Sequence, residues 1–182
     1  MSKWLILLFL SFNVAAEDVA FKSQVMISGV VVSSVCSVIV SSGTSKSGII
    51  DFGEYNKATH SGSGTYPFSL YLYEDGATDT GCDAFLAGKD FVDITFGGNG
   101  NQQLDARGVI TSGAGDNIRI EVIPTDVSAS TRAPITINNN VVSYDKNFAA
   151  KGIFNFNATP QGLNDAAVGQ YSGRLSIIIS YK

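Results

Sequence analysis

Residues 169–182 alternate between apolar and polar side chains, and this pattern limits the possible folds more than any other part of the chain. The even positions are polar except for Ile178. Because successive side chains of a strand point to opposite faces, the segment is predicted to be one long β-strand with a single apolar face. No further strand follows it in the sequence, so we expect it at a sheet edge, where unpaired backbone groups invite a strand from another molecule. The apolar face consists of Gly169, Tyr171, Gly173, Leu175, Ile177, Ile179 and Tyr181.

The first residues have the features of a secretory signal peptide. Lys3 precedes a short apolar run over residues 4–12, and small residues follow it up to Ala16. This run is far shorter than the ~20 apolar residues that a membrane-spanning helix needs. We therefore interpret residues 1–16 as a signal peptide and expect the remaining chain to be exported.

The rest of the chain consists of short alternating segments separated by turn-forming residues. Glycine accounts for 19 of the 182 residues, and no helix longer than about a turn is predicted. Short strands separated in this way are typical of an all-β sandwich in a single domain. Strands are predicted at 25–32, 35–40, 49–55, 67–73, 91–96, 104–110, 118–123, 135–137, 141–144 and 152–159.

Cys36 and Cys82 are the only two cysteines of the chain. Exported proteins reside in oxidising compartments, so one intramolecular disulfide is predicted between them. A catalytic thiol is the alternative, but neither a CxxC motif nor a histidine close in sequence supports it.

The charged residues give no indication of an enzyme or of nucleic-acid binding. The net charge is −4, and no basic cluster occurs that could bind a phosphate backbone. The only histidine, His60, lies in a polar loop, where solvation is a better interpretation than catalysis. Pairs of acidic residues such as Asp90 and Asp93 do not form a metal-binding motif. We therefore predict no cofactor, no metal and no catalytic residue.

Five short segments carry the motifs of one known family when they are taken in chain order. They span residues 27–36, 50–53, 67–72, 92–97 and 154–158, and the C-terminal strand follows them. Gly169, which is fourteenth from the end, and the penultimate Tyr181 are the most specific of these features. In this order the segments resemble the pilin subunits of chaperone–usher fimbriae, the type 1 fimbrial protein family of Gram-negative bacteria. The resemblance implies an immunoglobulin-like β-sandwich that lacks its final strand.

The resemblance also implies how such a subunit assembles. A periplasmic chaperone fills the groove of the missing strand first, and the N-terminal arm of the next subunit fills it later, by donor-strand complementation. Residues 17–26 are then the donor extension and residues 27–182 the pilin domain. Ser23 stands where arms of this family usually carry a glycine. The apolar C-terminal strand described above would bind the chaperone and the neighbouring subunit, and the side chains that fill the groove would be Val19, Phe21, Ser23, Val25 and Ile27.

The predicted function is that of a structural fimbrial subunit that supports bacterial cell adhesion. Its expected partners are a periplasmic chaperone, an outer-membrane usher and neighbouring subunits, with export through the periplasm to the cell surface. The alternative is a fimbrial adhesin or tip subunit whose sandwich itself binds a host glycan or protein. An aromatic sugar platform could then be formed by Tyr66, Tyr71, Tyr73 and Phe85. Tip adhesins of the family generally carry an extra N-terminal lectin domain, which favours the structural role.

Overall fold

The computed structural model describes residues 36–43, 46–98, 102–114 and 116–181. The predicted signal peptide, the predicted strand at 25–32 and the boundary between the donor extension and the pilin domain lie outside these residues. The predicted donor residues Val19, Phe21, Ser23, Val25 and Ile27 also lie outside them.

Ten strands form two sheets in the part of the chain that the structure describes, and every pairing between them is antiparallel. The strands are β1 (Cys36–Ser41), β2 (Tyr66–Glu74), β3 (Phe91–Phe96), β4 (Leu104–Asp105), β5 (Gly108–Gly113), β6 (Arg119–Pro124), β7 (Val141–Asp145), β8 (Ile153–Gln161), β9 (Tyr171–Gly173) and β10 (Ile177–Tyr181). The larger sheet has the order β1-β2-β8-β6-β5-β4, with β9 paired to β5, and the smaller sheet has the order β10-β3-β7. One four-residue helix, α1 (Lys146–Ala149), and two 3₁₀ turns (Asp83–Ala87 and Leu163–Asp165) join these strands.

The core lies between the two sheets and follows the period-two pattern of the sequence. Every second residue of β8 is buried, and the intervening residues are half-buried on the outer face. Phe156 of β8 packs edge-on against Phe96 of β3, with 5.4 Å between ring centroids. Phe154 packs in the same way against Tyr144 of β7, at 4.8 Å. The two sheets are thus held together by interlocking aromatic side chains, as the predicted sandwich requires.

The strands predicted at 67–73, 91–96, 118–123, 141–144 and 152–159 are confirmed to within two residues at each end, and β1 covers most of the segment predicted at 35–40. The all-β sandwich is confirmed as well. These segments are recognisable in the sequence because one of their faces is buried and the other is exposed to solvent.

The strands predicted at 49–55 and 135–137 are wrong. The first segment pairs with no other strand among the described residues; Gly48 N–H donates to Val40 C=O, and Gly53 has φ 64°. At the second segment an isolated bridge joins Thr136 to Asn139, and the N–H groups of Ile135 and Ile137 donate to Val122 C=O of β6 and Asp105 C=O of β4, so no continuous ladder with one strand forms. An alternating pattern shows which side chains can be buried, but a strand also needs a partner for its backbone groups.

The strand predicted at 104–110 is interrupted by a tight turn. The Asp105 carboxylate accepts hydrogen bonds from the backbone N–H groups of Arg107 and Gly108, which reverses the chain between β4 and β5. Gly108 has φ 137°, and a Cβ there would lie 2.6 Å from Ile120 C=O. The turn therefore requires glycine at this position.

The single long strand predicted over residues 169–182 is also wrong, because the segment divides between the two sheets. β9 pairs with residues 111–113 of β5 in the larger sheet, and β10 pairs with β3 in the smaller one. Residues 174–176 lie between them and pair with none of the described strands. β10 forms an edge of the smaller sheet, since no described strand pairs with its other side.

Candidate functional site

An open groove of about 740 Å³ exposes part of the core between the two sheets. Its floor is the inner face of the larger sheet, and two stretches of chain form its banks. The first bank is residues 48–52, and the second is residues 171–175 together with Ile177. Apolar side chains of four neighbouring strands make up the floor, namely Phe68, Val109, Ile120, Val122 and Ala158.

Successive side chains of the first bank alternate between half-buried and exposed, although this stretch of chain is not a strand. Ile50 and Phe52 are half-buried against the core, whereas Ile49 and Asp51 are exposed. The Phe52 ring lies edge-on to the Tyr66 ring, with 5.3 Å between centroids, and the Tyr66 hydroxyl donates to Phe52 C=O. These contacts fix the bank to β2 and direct its apolar side chains into the groove.

The second bank is the predicted C-terminal segment. Tyr171, Leu175, Ile177 and Ile179 are half-buried, and the residues between them are exposed. Tyr171, Leu175 and Ile177 line the groove together with Gly173, whereas Ile179 does not. The alternation of side chains therefore continues through both strands and the unpaired residues between them, even though the backbone changes sheets.

The backbone of this bank has a free edge towards the groove. The carbonyl of Gln170 accepts from Ala114 N–H, and the carbonyl of Ser176 accepts from Gly97 N–H. Both acceptors are even-numbered, and adjacent residues of an extended chain direct their backbone groups to opposite edges. The backbone groups of the odd-numbered residues 171–179 therefore point towards the open side, where no described strand pairs with them.

The two glycines of the predicted site have steric reasons to be glycine. Gly169 lies just before β9 with φ 147°, a backbone conformation that side chains rarely adopt. At Gly173 a Cβ would lie 3.0 Å from Ile110 C=O, so the close pairing of β9 with β5 favours a residue without a side chain. Tyr181, by contrast, does not line the groove; its ring packs edge-on against Phe85, at 5.3 Å.

The groove is apolar apart from a few groups at its rims. Asp51 lies on the first bank and Arg174 on the second. Burial raises the pKa of the Tyr171 phenol, and the neighbouring Tyr66 and Asp51 raise it further, so this side chain is neutral at physiological pH. An apolar cleft with charges only at its edges suits the apolar face of an amphipathic segment, not a polar small molecule.

Hydrogen bonds between two loops hold the polypeptide together just before β9. The Tyr55 hydroxyl and His60 Nδ1 both contact Asn164 Oδ1, and Lys57 Nζ donates to Ala166 C=O at 2.5 Å. His60 has φ 49°, which is unusual for a residue other than glycine. The single histidine thus lies in an exposed loop, where its contact with Asn164 helps to hold the two loops together.

Cys36 and Cys82 form the predicted disulfide, with their Cα atoms 5.9 Å apart. The bond connects the first residue of β1 to the residue before the 3₁₀ turn Asp83–Ala87. Glu74 Oε1 accepts from Asp83 N–H, which fixes the end of the loop over residues 74–81 beside the disulfide.

The four aromatic residues of the alternative sugar platform do not lie together. Phe85 is buried, with only 3% of its surface exposed. Tyr66 packs against Phe52 on the inner face of β2, whereas Tyr71 and Tyr73 occupy the opposite face of the same strand, because they differ from Tyr66 by an odd number of positions. No group of three or more acidic, histidine or cysteine side chains that could hold a metal ion is found among the described residues. Within the same residues, no helix is long and apolar enough to span a bilayer.

Comparison with known proteins gave one family and a solved structure. The family model of K88 fimbrial protein A matches residues 2–182. The crystal structure of the P pilus rod subunit PapA superimposes with a TM-score of 0.55 at 19% sequence identity, covering 87% of this chain and 99% of that chain. No curated protein matches. At this identity the PapA likeness shows a shared fold.

Proposed function

We propose that this chain, which belongs to the K88 fimbrial protein A family and is a fimbrial subunit, polymerises by donor-strand complementation. In this proposal the groove receives the arm of a neighbouring copy, with Val19, Phe21, Ser23, Val25 and Ile27 facing the core. The observation that carries the proposal is the free backbone edge of residues 171–179 beside an open groove with an apolar floor. A strand added there would satisfy the backbone groups and cover the floor at the same time.

The energy of such an insertion is sufficient for a stable polymer. Burying three or four apolar side chains contributes ~1.5–3 kcal/mol each. Each new backbone hydrogen bond adds about 1 kcal/mol. The sum is on the order of 10 kcal/mol before the cost of ordering the arm, so no covalent link between subunits is required.

An exposed groove of this kind also explains the need for a chaperone. An apolar floor open to water promotes aggregation, particularly next to an unpaired strand edge. We therefore assign the groove a second occupant before polymerisation, a periplasmic chaperone, and place the outer-membrane usher at the exchange of chaperone for arm. The fimbrial family implies a surface fimbrium, and the predicted signal peptide supports a route through the periplasm.

The test is to supply the missing strand in cis. A second copy of residues 18–27 is fused after Lys182 through a short flexible linker, which raises the effective concentration of the donor to the millimolar range or so. The fused protein should be a soluble monomer with a much higher melting temperature than the unfused exported chain. Calorimetry and light scattering measure the two properties.

The matched control is the same fusion with Phe21→Asp in the added copy. Burying an unpaired carboxylate is costly, so most of the gain in melting temperature should disappear. If the unfused chain, purified without a chaperone, is already monomeric and as heat-stable as the fusion, the groove needs no donor and the proposal is wrong.

A further inference from the structure

We infer that Asp75 is a site of covalent modification, at which an exposed turn over residues 74–77 converts aspartate into isoaspartate without the help of an enzyme. This inference does not depend on the proposed function. Three observations carry it: the glycine that follows Asp75, the exposure of the turn, and the absence of hydrogen bonds to the two groups that react. Together they leave the side chain of Asp75 free to react with the backbone of the next residue.

In this reaction the backbone nitrogen of Gly76 attacks the side-chain carboxyl carbon, Cγ, of Asp75. The nitrogen loses its proton and the carboxyl group loses its hydroxyl, so a five-membered succinimide ring forms and a water molecule leaves. Solvent water then adds to one of the two ring carbonyls and breaks the bond between that carbon and the nitrogen. Opening at Cγ restores aspartate, whereas opening at the main-chain carbonyl leaves the chain running through Cβ and Cγ, which is isoaspartate. The mass of the chain is unchanged, and the only co-reactant is water.

The first observation is the residue that follows Asp75 in the sequence. Asp75 is the only aspartate of the chain that precedes a glycine. A side chain on the following residue would shield the nitrogen that attacks and would restrict the rotation of the peptide group, and glycine does neither. A Cβ built on Gly76 would meet no heavy atom within 4 Å, so the surroundings do not hinder this rotation either. The sequence and the space around it thus both favour ring closure here.

The second observation is the conformation and exposure of the turn. Ala77 N–H donates to Glu74 C=O at 3.0 Å, and Gly76 has φ 77°, whereas Asp75 has no positive φ. This combination is a type II β-turn, in which the third residue needs a positive φ. Residues 75–79 are all exposed to solvent. Since a single backbone hydrogen bond closes the turn, opening it for the reaction costs little free energy.

The third observation is that neither reacting group is held by a hydrogen bond. Among the described residues, no group donates to the Asp75 carboxylate, and the N–H of Gly76 has no acceptor. Several other aspartate side chains are held in place because they accept hydrogen bonds from backbone N–H groups, namely those of Asp51, Asp105, Asp126 and Asp145. A carboxylate fixed in this way is not free to approach the nitrogen of the following residue, whereas that of Asp75 is.

The fold around the turn can accommodate the product. Glu74 Oε1 accepts from Asp83 N–H at 2.7 Å, and Gly81 N–H donates to Leu72 C=O at 2.9 Å. These contacts fix both ends of the loop to the sandwich, and the residues between them are exposed. The methylene group that isoaspartate adds to the main chain is therefore taken up by the loop and leaves the core unchanged. Isoaspartate thus accumulates in the folded chain with the time since synthesis.

The experiment follows the full exported chain during incubation for several weeks at neutral pH and physiological temperature. The chain is then reduced and digested with trypsin, which releases residues 58–89 as one peptide. Chromatography separates the isoaspartyl form of this peptide at unchanged mass, and electron-transfer fragmentation locates the altered linkage. We expect isoaspartate at residue 75, formed at about one tenth or more of the rate in a free synthetic peptide of residues 72–79, because an exposed turn protects little.

Two matched controls are available in the same loop. Asp79 is equally exposed but precedes Thr80, so it should remain aspartate in the same peptide. Asp75→Glu should abolish the isoaspartyl form, because the longer side chain would have to close a six-membered ring. A chain that stays unmodified at Asp75 while the free peptide isomerises would overturn the inference, since the fold would then protect the turn. Equal amounts of isoaspartate at Asp75 and Asp79 would also overturn it, because neither the glycine nor the turn would then select the site.

Discussion

Two regions of the inner face of the larger sheet have the same sequence pattern but different surroundings. Phe154 and Phe156, which pack against the smaller sheet, are at most 1% exposed. Val109 and Ile120, on the groove floor, are 4% and 8% exposed, and the bank residues above them are only half-buried. The first region is enclosed by the two sheets, whereas the second borders an open groove. Alternation in a sequence therefore reveals that a face is apolar but does not reveal what covers it.

The energetic meaning of this difference is that the two regions should respond differently to the same kind of mutation. A side chain that is fully enclosed loses all its contacts when it is truncated, and it leaves a cavity. A side chain beside an open groove has fewer contacts to lose until a donor strand arrives. The following predictions test this contrast, beginning with the largest expected effect.

Phe156→Ala should destabilise the domain by about 3–5 kcal/mol, because it removes a buried ring that contacts both Phe68 and Phe96. The loss should be similar in the unfused chain and in the chain with a fused arm, since this region is already enclosed. Urea denaturation of both forms measures it. A loss below about 1 kcal/mol would mean that the enclosed region is not the principal core.

Replacing both Cys36 and Cys82 by alanine should cost about 4 kcal/mol, the chain-entropy value for a loop closed over 46 residues. The bond lies outside the groove lining, so a fused arm should not compensate for its removal. The melting temperature of the variant, measured with and without the fused arm, shows whether the arm compensates for the missing disulfide. Equal stability of the reduced and oxidised wild-type protein would contradict the prediction.

Ile177→Ala should lower the stability of the unfused chain by about 1 kcal/mol and that of the fused chain by about 2–3 kcal/mol, because the donor strand completes the burial of this side chain. Val168→Ala is the matched control, since Val168 is 92% exposed and should have no effect in either form. Equal losses in the two forms would place Ile177 outside the donor contact.

Asp105→Asn should have the smallest effect, about 1 kcal/mol, because the ion pair with Arg119 is partly exposed. Burial acts to raise the pKa of Asp105, but hydrogen bonds from Arg119, Arg107 and Gly108 outweigh it, and the net pKa lies below the ordinary 3.8. The contribution of Asp105 to the stability of the fold is therefore complete above the pKa that this carboxyl has in the unfolded chain. It is lost as the pH falls through the lower pKa that the carboxyl has in the folded chain. The difference between the wild type and the variant should be constant near pH 6 and should vanish in strong acid, as measured by denaturation at several pH values.

Most of the sandwich could be predicted from the sequence, because strands such as β3 and β8 have one buried face and one solvent face. The segment at 49–55 shows the limit of this approach. Its alternation correctly indicates that Ile50 and Phe52 turn inward, but the hydrogen-bond partner that would make it a strand is not encoded locally. The role of this segment as the first bank of the groove was therefore not predictable, although the same alternation indicates which of its side chains face the core.

The prediction of one long strand for the C-terminal segment was wrong for a related reason. Its inward side chains were predictable from their spacing, yet the exchange of partners between β5 and β3 depends on contacts with residues more than fifty positions away. The disulfide was predictable because only two cysteines are present and the predicted export implies an oxidising environment. Features that follow from composition or local spacing were thus accessible, and those that follow from distant partners were not.

The position of the disulfide has a mechanical consequence for a fibre held together through arms. In the proposed polymer the arm precedes β1, which pairs only with β2 among the described strands, so tension applied through the arm would act on the N-terminal end of β1. Without a cross-link, this pull would peel β1 from its neighbour one hydrogen bond after another. Cys36 is the first residue of β1, and its bond to Cys82 transfers the load to the connection between β2 and β3 before peeling can begin. The covalent link therefore lies where a stretched fibre would otherwise start to unravel.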